Sequence, residues 1–173
     1  MPSVTTPDVI RVKPSAADWQ NSGIAHELLA SLNRATGVGL HSLAIAQSRP
    51  PHFVCANAAG TLVALNVDAV ACDQAAPTTH GDPLTRVLHA GALAANIAGL
   101  LAEKDREPYE SGPYSEVVAV LVIGEPTLTF EQAVFELTSI TFGPYRQLTS
   151  AYVLLPYDSS TMSCPAVPIQ LRR

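Results

Sequence analysis

A continuous apolar run in the second half of the chain is the feature that most constrains the fold. Residues 117–123 read Val-Val-Ala-Val-Leu-Val-Ile without a polar interruption. A strand that is apolar on both faces has to be covered on both faces, as it is in a sheet with helices on each side. The run therefore predicts a buried strand over 116–124 and a layered α/β fold around it.

Periodicity and turn signals predict further elements on both sides of this strand. Ile24, Leu28 and Leu32 lie at helical spacing, which predicts a first helix that stops at Gly37. The other predicted elements are strands over 40–47, 52–58 and 61–72, helices over 84–104 and 129–140, and a last strand over 151–155. This order predicts a three-layer fold, a mixed β-sheet flanked by helices.

The length of 173 residues fits a single domain. Residues 1–14 contain three prolines and little periodicity, so they are predicted to form an extended N-terminal arm. Residues 15–157 are predicted to form the α/β domain. Residues 158–173 contain proline and serine, and we expect a loosely packed C-terminal tail there.

Composition narrows the class of protein and its partners. Hydrophobic residues make up 47% and charged residues 14% of the chain. This composition excludes disorder as the dominant state. It also favours an apolar surface that contacts a protein partner or a second copy of the chain. The net charge of -5 does not favour nucleic acid. The three cysteines form no close pair and do not have the spacing of metal ligands, so a reducing, cytoplasmic setting and no cofactor are predicted. No apolar segment is long enough to span a membrane, so no membrane contact is predicted.

Polar side chains interrupt the third predicted strand on one face. Alternation places Asn66 and Asp68 together, with Val63, Leu65 and Val67 on the opposite face. Two interpretations follow. Either the pair binds a divalent ion together with Glu27, or it has a structural role, hydrogen-bonded to the neighbouring helix or lying in a cleft covered by a loop.

Two histidines allow a similar pair of interpretations. His52 begins the second predicted strand and His89 lies in the long predicted helix. The two rings are either remnants of a site that face each other or packed, hydrogen-bonded side chains.

Four short segments carry a resemblance to a known family. They are Leu40-His41-Ser42-Leu43, His52 to Asp68, His89 to Ala95 and Val117 to Gly124. These segments resemble the nuclease-related domain (NERD) family of restriction-endonuclease-like nucleases, over roughly residues 23–140. The resemblance implies an αβββαβ core, and it implies candidate site residues at Glu27, His52, Asn66, Asp68 and His89.

The sequence departs from that family where the chemistry would lie. Such a nuclease needs two acidic groups to hold Mg²⁺ and a lysine to orient or activate the attacking water. Pro51 stands where the family has its metal-binding aspartate, and Asp68 stands where it has its lysine. The two lysines are Lys13 and Lys104. Lys104 lies about 20 residues beyond the predicted helix start, or about 30 Å along the axis, which predicts that it is out of reach.

The leading hypothesis is therefore a non-catalytic, nuclease-like domain that binds a protein or nucleic-acid partner or associates with itself. One alternative is an active nuclease that uses Mg²⁺ or Mn²⁺ at a site rearranged around Glu27, Asp68 and His52, with Glu27 and Asp68 as the metal ligands. Another alternative is a structural oligomer without a ligand.

Two weaker chemistries are also open. Cys55 next to a histidine could act as a nucleophile, although a thiol in mid-strand is usually an inert core residue. Asp73 and Asp82 flank Thr78-Thr79-His80 and could coordinate an ion, or they could simply lie in a solvated loop.

Overall fold

The described part of the chain comprises three helices and seven strands. The structure is a computed structural model that describes residues 16–37, 39–46, 50–70, 90–109, 112–123 and 130–172. In chain order the elements are α1 (Ala16–Thr36), β1 (His41–Ile45), β2 (Phe53–Ala56), β3 (Leu62–Ala69), α2 (Ala90–Lys104), β4 (Glu116–Val122), α3 (Phe130–Thr138), β5 (Thr141–Phe142), β6 (Ser150–Leu154) and β7 (Ala166–Leu171). The first six elements follow the predicted order of helix, three strands, helix and strand.

The strands form one mixed sheet with β4 in the middle. The order across the sheet is β1-β2-β3-β4-β6-β7-β5. The β1–β2–β3 meander is antiparallel, β4 pairs in parallel with β3 on one side and with β6 on the other, and β7 is antiparallel to β6. Val118 to Leu121 are all buried. The predicted central strand is therefore confirmed.

Helices cover both faces of the sheet because the strands alternate. Val63, Leu65 and Val67 of β3 face α1 and pack with Leu28 and Leu32. On the other face, the core residues from α2, α3 and the sheet include Ile97, Leu101, Leu137, Ala64 and Leu121. This arrangement confirms the predicted three-layer α/β fold.

The C-terminal segment is a sheet strand, and the expectation of a loosely packed tail was wrong. Val167 and Ile169 are buried on β7, and Val153 pairs with Val167. Pro168 obscured the strand signal because proline cannot donate to a neighbouring strand. Here the defect is tolerated since β5 pairs with β7 at Gln170 and Leu171, beyond the proline. The predicted arm over 1–14, His89 and the Asp73–Asp82 loop lie outside the described residues.

One carboxylate fastens the end of α2 to the segment before β6. Asp105 accepts hydrogen bonds from the backbone N–H groups of Arg146, Gln147 and Leu148 at 2.7–3.0 Å. Partial burial raises the pKa of Asp105, but the three N–H donors outweigh that effect, and its pKa is lowered below the ordinary value. Asp105 thus connects the two loops at this end of the domain.

Replacing Asp105 tests this connection. Asp105→Ala is expected to lower the free energy of unfolding by about 2 kcal/mol at pH 7, because the bonds made to a charged acceptor are lost. Since the folded-state pKa is depressed, this stabilisation is present above the carboxylate's unfolded pKa and is lost as the pH falls through the folded pKa. Urea unfolding at neutral and acidic pH measures both effects.

The matched control is Glu103→Ala, which removes an exposed carboxylate from the same helix. It is expected to leave the unfolding midpoint nearly unchanged. An Asp105→Ala midpoint equal to that of the wild type, or a difference that does not shrink in acid, would contradict the role of Asp105.

Candidate functional site

The two polar side chains of β3 lie on the α2 face of the sheet, as their alternation predicts. Asn66 is completely buried, and its Oδ1 accepts the backbone N–H of His52 at 3.3 Å. Its Nδ2 donates to the hydroxyl oxygen of Tyr109 at 2.7 Å, and that hydroxyl donates to the carbonyl of Lys104 at 3.0 Å. Asn66 thereby links the start of β2, the middle of β3 and the end of α2.

Lys104 contacts Asp68, so the expectation that this lysine is out of reach was wrong. The Lys104 Nζ lies 3.2 Å from Asp68 Oδ2 and 2.8 Å from Glu107 Oε1. The expectation measured distance along the helix from its start. Whether a lysine on the helix reaches Asp68 depends on which turn of the helix lies over β3. Here the last turn of α2 lies over β3, and Lys104 belongs to that turn.

The lysine holds its charge in a nearly closed environment. Its side chain is 8% exposed, whereas those of Asp68 and Glu107 are each 24% exposed. Burial lowers the pKa of Lys104, but the hydrogen bond to Glu107 and the charge of Asp68 outweigh burial and raise it. Lys104 is therefore a permanent cation between two carboxylates.

Tyr109 and His52 each have a defined hydrogen-bonding role beside these ion pairs. Burial, reinforced by the charge of Glu107, raises the pKa of Tyr109, so its hydroxyl stays a donor at neutral pH. His52 Nδ1 accepts the backbone N–H of Val67 at 3.2 Å. That bond requires an unprotonated Nδ1, which puts the proton of a neutral ring on Nε2.

These residues form what we call the polar cluster. It consists of His52, Asn66, Asp68, Lys104, Glu107 and Tyr109. The structure thus brings together three of the predicted site residues, His52, Asn66 and Asp68. Asp68 contacts α2 through Lys104, and Asn66 contacts the segment after α2 through Tyr109.

Glu27 does not join the polar cluster. It belongs to α1, which packs on the opposite face of the sheet. Its Oε1 accepts the backbone N–H of Cys164 at 3.2 Å and lies 3.5 Å from Arg34 Nη2. The proposed metal ligands Glu27 and Asp68 are consequently separated by the sheet.

Metal ligation and thiol chemistry find little support in the geometry. Within the described ranges, no group of three or more His, Cys, Asp or Glu side chains is arranged to hold a metal ion. Cys55 is buried, and burial together with the charge of Glu116 raises its pKa to about 11. A thiol in that state is not a nucleophile at neutral pH.

Glu107 and Tyr109 are members of the polar cluster that the sequence analysis missed. One usable signal was the Lys104–Glu107 spacing, since residues three apart at a helix end are neighbours. No comparable signal marks Tyr109, whose partner Asn66 lies 43 positions away. Its contact depends on how α2 is placed over the sheet.

Comparison with protein-family models, with curated proteins and with solved structures finds no match to this chain. Among the helices that the structure describes, none has the length and apolar character needed to cross a membrane. The geometry therefore defines an α/β domain in which α2 connects the parallel strands β3 and β4. The polar cluster lies between α2 and the sheet, and its side chains pair with one another.

Neutralising Lys104 tests the pairing. Lys104→Met is expected to lower the free energy of unfolding by about 2 kcal/mol, because two partly buried carboxylates lose their counter-charge. The triple variant Asp68→Asn, Lys104→Met, Glu107→Gln is expected to recover most of that loss, since neutral groups of similar shape carry no unpaired charge. Urea denaturation at pH 7 measures both.

Arg106→Met serves as the matched control, because it removes an exposed cation two residues beyond the end of α2. We expect little change in its unfolding midpoint. If Lys104→Met behaved like Arg106→Met, or if the triple variant were less stable than Lys104→Met, the pairing would not be the stabilising feature described above.

Proposed function

We propose that this chain is a non-catalytic domain of nuclease-like architecture that works by binding a protein partner. The observation that carries the proposal is the closed pairing of Lys104 with Asp68 and Glu107. The resemblance to the nuclease-related domain family and the order of the elements support the architecture. We infer the loss of catalysis from the chemistry of the polar cluster, and the protein partner from the exposed surface of α3.

A nuclease of this type needs carboxylate oxygens free to hold a metal ion and a lysine free to meet water. In the polar cluster the lysine is 8% exposed and is bonded to the carboxylates themselves. Asn66 is likewise bonded to His52 and Tyr109. The hydrogen-bonding and charged groups of the polar cluster are thus occupied by one another. This arrangement suits a structural role better than a catalytic site, which must bind phosphate, metal and water.

A second candidate function is metal-dependent phosphodiester hydrolysis. The position of Lys104 favours this function, because metal-dependent nucleases of this type use two carboxylates and a lysine, and Lys104 lies next to Asp68 and Glu107. In this case Mg²⁺ or Mn²⁺ would have to displace Lys104 from Asp68 and Glu107. The same metal ions would then stabilise the protein measurably.

Cleavage and metal-binding measurements distinguish the two functions. We expect no cleavage of plasmid DNA, single-stranded DNA or RNA with Mg²⁺ or Mn²⁺, and no shift in Tm at millimolar metal. Asp68→Asn and the control Asp158→Asn, in the loop between β6 and β7, should be indistinguishable in both assays. Cleavage that persists in Asp158→Asn and disappears in Asp68→Asn would overturn the proposal and establish the second function.

Exposed aromatic side chains on α3 mark a surface for the partner. Phe135 is 80% exposed, and Phe130 at the start of the same helix is also exposed. Ala133 and Leu137 are buried on the side of α3 opposite Phe135, and Phe130 lies above that buried side at the first residue of the helix. A second copy would present the same exposed Phe135, as in a two-fold dimer, so self-association is the form of partner binding that we test first.

Light scattering across a concentration series tests self-association. We expect a molar mass that rises towards twice the monomer value in the wild type and stays at the monomer value in Phe135→Ser. Met162→Ser is the matched control, because Met162 is similarly exposed but lies in the loop before β7. A monomer at all concentrations would exclude self-association.

A further inference from the structure

A cleft lies on the α1 side of the domain, at the carboxyl ends of β4 and β6. Its volume is about 450 Å³. The residues that define it are Gly23 and Glu27 of α1, Val122 of β4, Leu155 and Tyr157 after β6, and Cys164 before β7. The polar cluster contributes none of the lining residues, so this cleft is a separate feature of the molecule.

The position and size of the cleft suit a small ligand. In α/β sheets, ligands bind in the crevice beyond the carboxyl ends of parallel strands, and β4 and β6 are parallel neighbours. Small-molecule pockets typically span about 300–1,000 Å³ and have mostly apolar walls with a few fixed polar groups. Ile24, Val122 and Cys164, which pack on the α1 side of the sheet, supply the apolar wall here. The Cys164 thiol is neutral at ordinary pH because burial, and then the charge of Glu27, raise its pKa.

Glu27 is the charged group of the cleft, and its side chain is held in place. The N–H of Cys164 and the guanidinium of Arg34 both engage Oε1. Among the described residues, Oε2 has no hydrogen-bond partner. A fixed carboxylate with one oxygen available is an acceptor for a cationic donor, and such charge-assisted hydrogen bonds are stronger than neutral ones.

An aromatic ring at the rim adds to the preference for a cation. Tyr157 lines the cleft and is 60% exposed. The face of an aromatic ring attracts an ammonium group through its quadrupole. Carboxylate, aromatic ring and apolar wall together match a molecule with a protonated amine at one end and an apolar body at the other.

We propose that this cleft binds a small organic cation, a protonated amine on an apolar body, with the ammonium on Glu27 and the body against Ile24 and Val122. This binding goes beyond the proposed function and does not depend on the state of the polar cluster. A nuclease activity of the polar cluster would leave it intact.

Two glycines provide a variant that blocks the cleft and a matched control. Gly23 lines the cleft, and a Cβ built there meets no atom within 4 Å. Gly99 on α2 is equally open but lies outside the cleft. Leucine is a better helix former than glycine at either position, so Gly23→Leu and Gly99→Leu should both fold. The blocking effect is then separable from any effect on stability.

The binding test is an NMR titration of the full chain, labelled with ¹⁵N, with 2-phenylethylamine hydrochloride at pH 7. A fragment of this size is expected to bind with a Kd of about 1 mM. Saturable shifts are expected at the amides of Glu27, Val122 and Leu155, and not at Asn66 or Lys104. The neutral 2-phenylethanol and the anionic 3-phenylpropionate should bind at least about fivefold more weakly.

The variants decide whether the cleft and its carboxylate are responsible. Glu27→Gln keeps an acceptor for the Cys164 N–H but removes the charge, and should raise the Kd for the amine at least about fivefold. Gly23→Leu should abolish saturable shifts, whereas Gly99→Leu and Glu131→Gln should match the wild type. The proposal is overturned if no saturable shift occurs, if the alcohol binds as tightly as the amine, or if Glu27→Gln or Gly23→Leu binds like the wild type.

Discussion

The structure depends on the need to cover β4 on both faces. Val118 and Val120 point into the core beneath α1, whereas Ala119 and Leu121 point into the core beneath α2 and α3. Burying both faces of a strand removes all of its side chains from water, and such a strand must lie between other strands and between helical layers. The parallel pairing with β3 and β6, and the crossover through α2, follow from that position.

The same crossover explains why a charged cluster lies inside a weakly charged protein. The last turn of α2 descends onto β3 and brings Lys104 to Asp68, while the following turn brings Glu107 and Tyr109. A buried lysine is tolerated because two carboxylates surround it, and a buried asparagine is tolerated because both ends of its amide are bonded. We expect the polar cluster to matter more for the placement of α2 than for net stability, because any other placement would leave these groups unpaired.

Local signals predicted the elements well and the contacts between them poorly. The sequence displays some features directly because they are properties of residues close together in the chain. They are the apolar run of β4, the alternation of β3 and the helical spacing of apolar residues in α1. The sequence did not reveal β7 because Pro168 lies within it. A proline is compatible with a strand where its missing N–H does not face a neighbouring strand, and the sequence alone does not show which way it faces. The reach of Lys104 was misjudged for a related reason. A distance along a helix does not say which turn lies over the sheet.

The sequence by itself determined the layered α/β class, the buried central strand and the shared face of Asn66 and Asp68, because periodicity and alternation are local. Tertiary structure decided which candidates meet. It placed Glu27 on the other side of the sheet from Asp68, recruited Lys104, Glu107 and Tyr109 into the polar cluster, and opened the cleft beside Glu27. Each of these outcomes depends on the packing of helices against the sheet, which joins residues far apart in the chain.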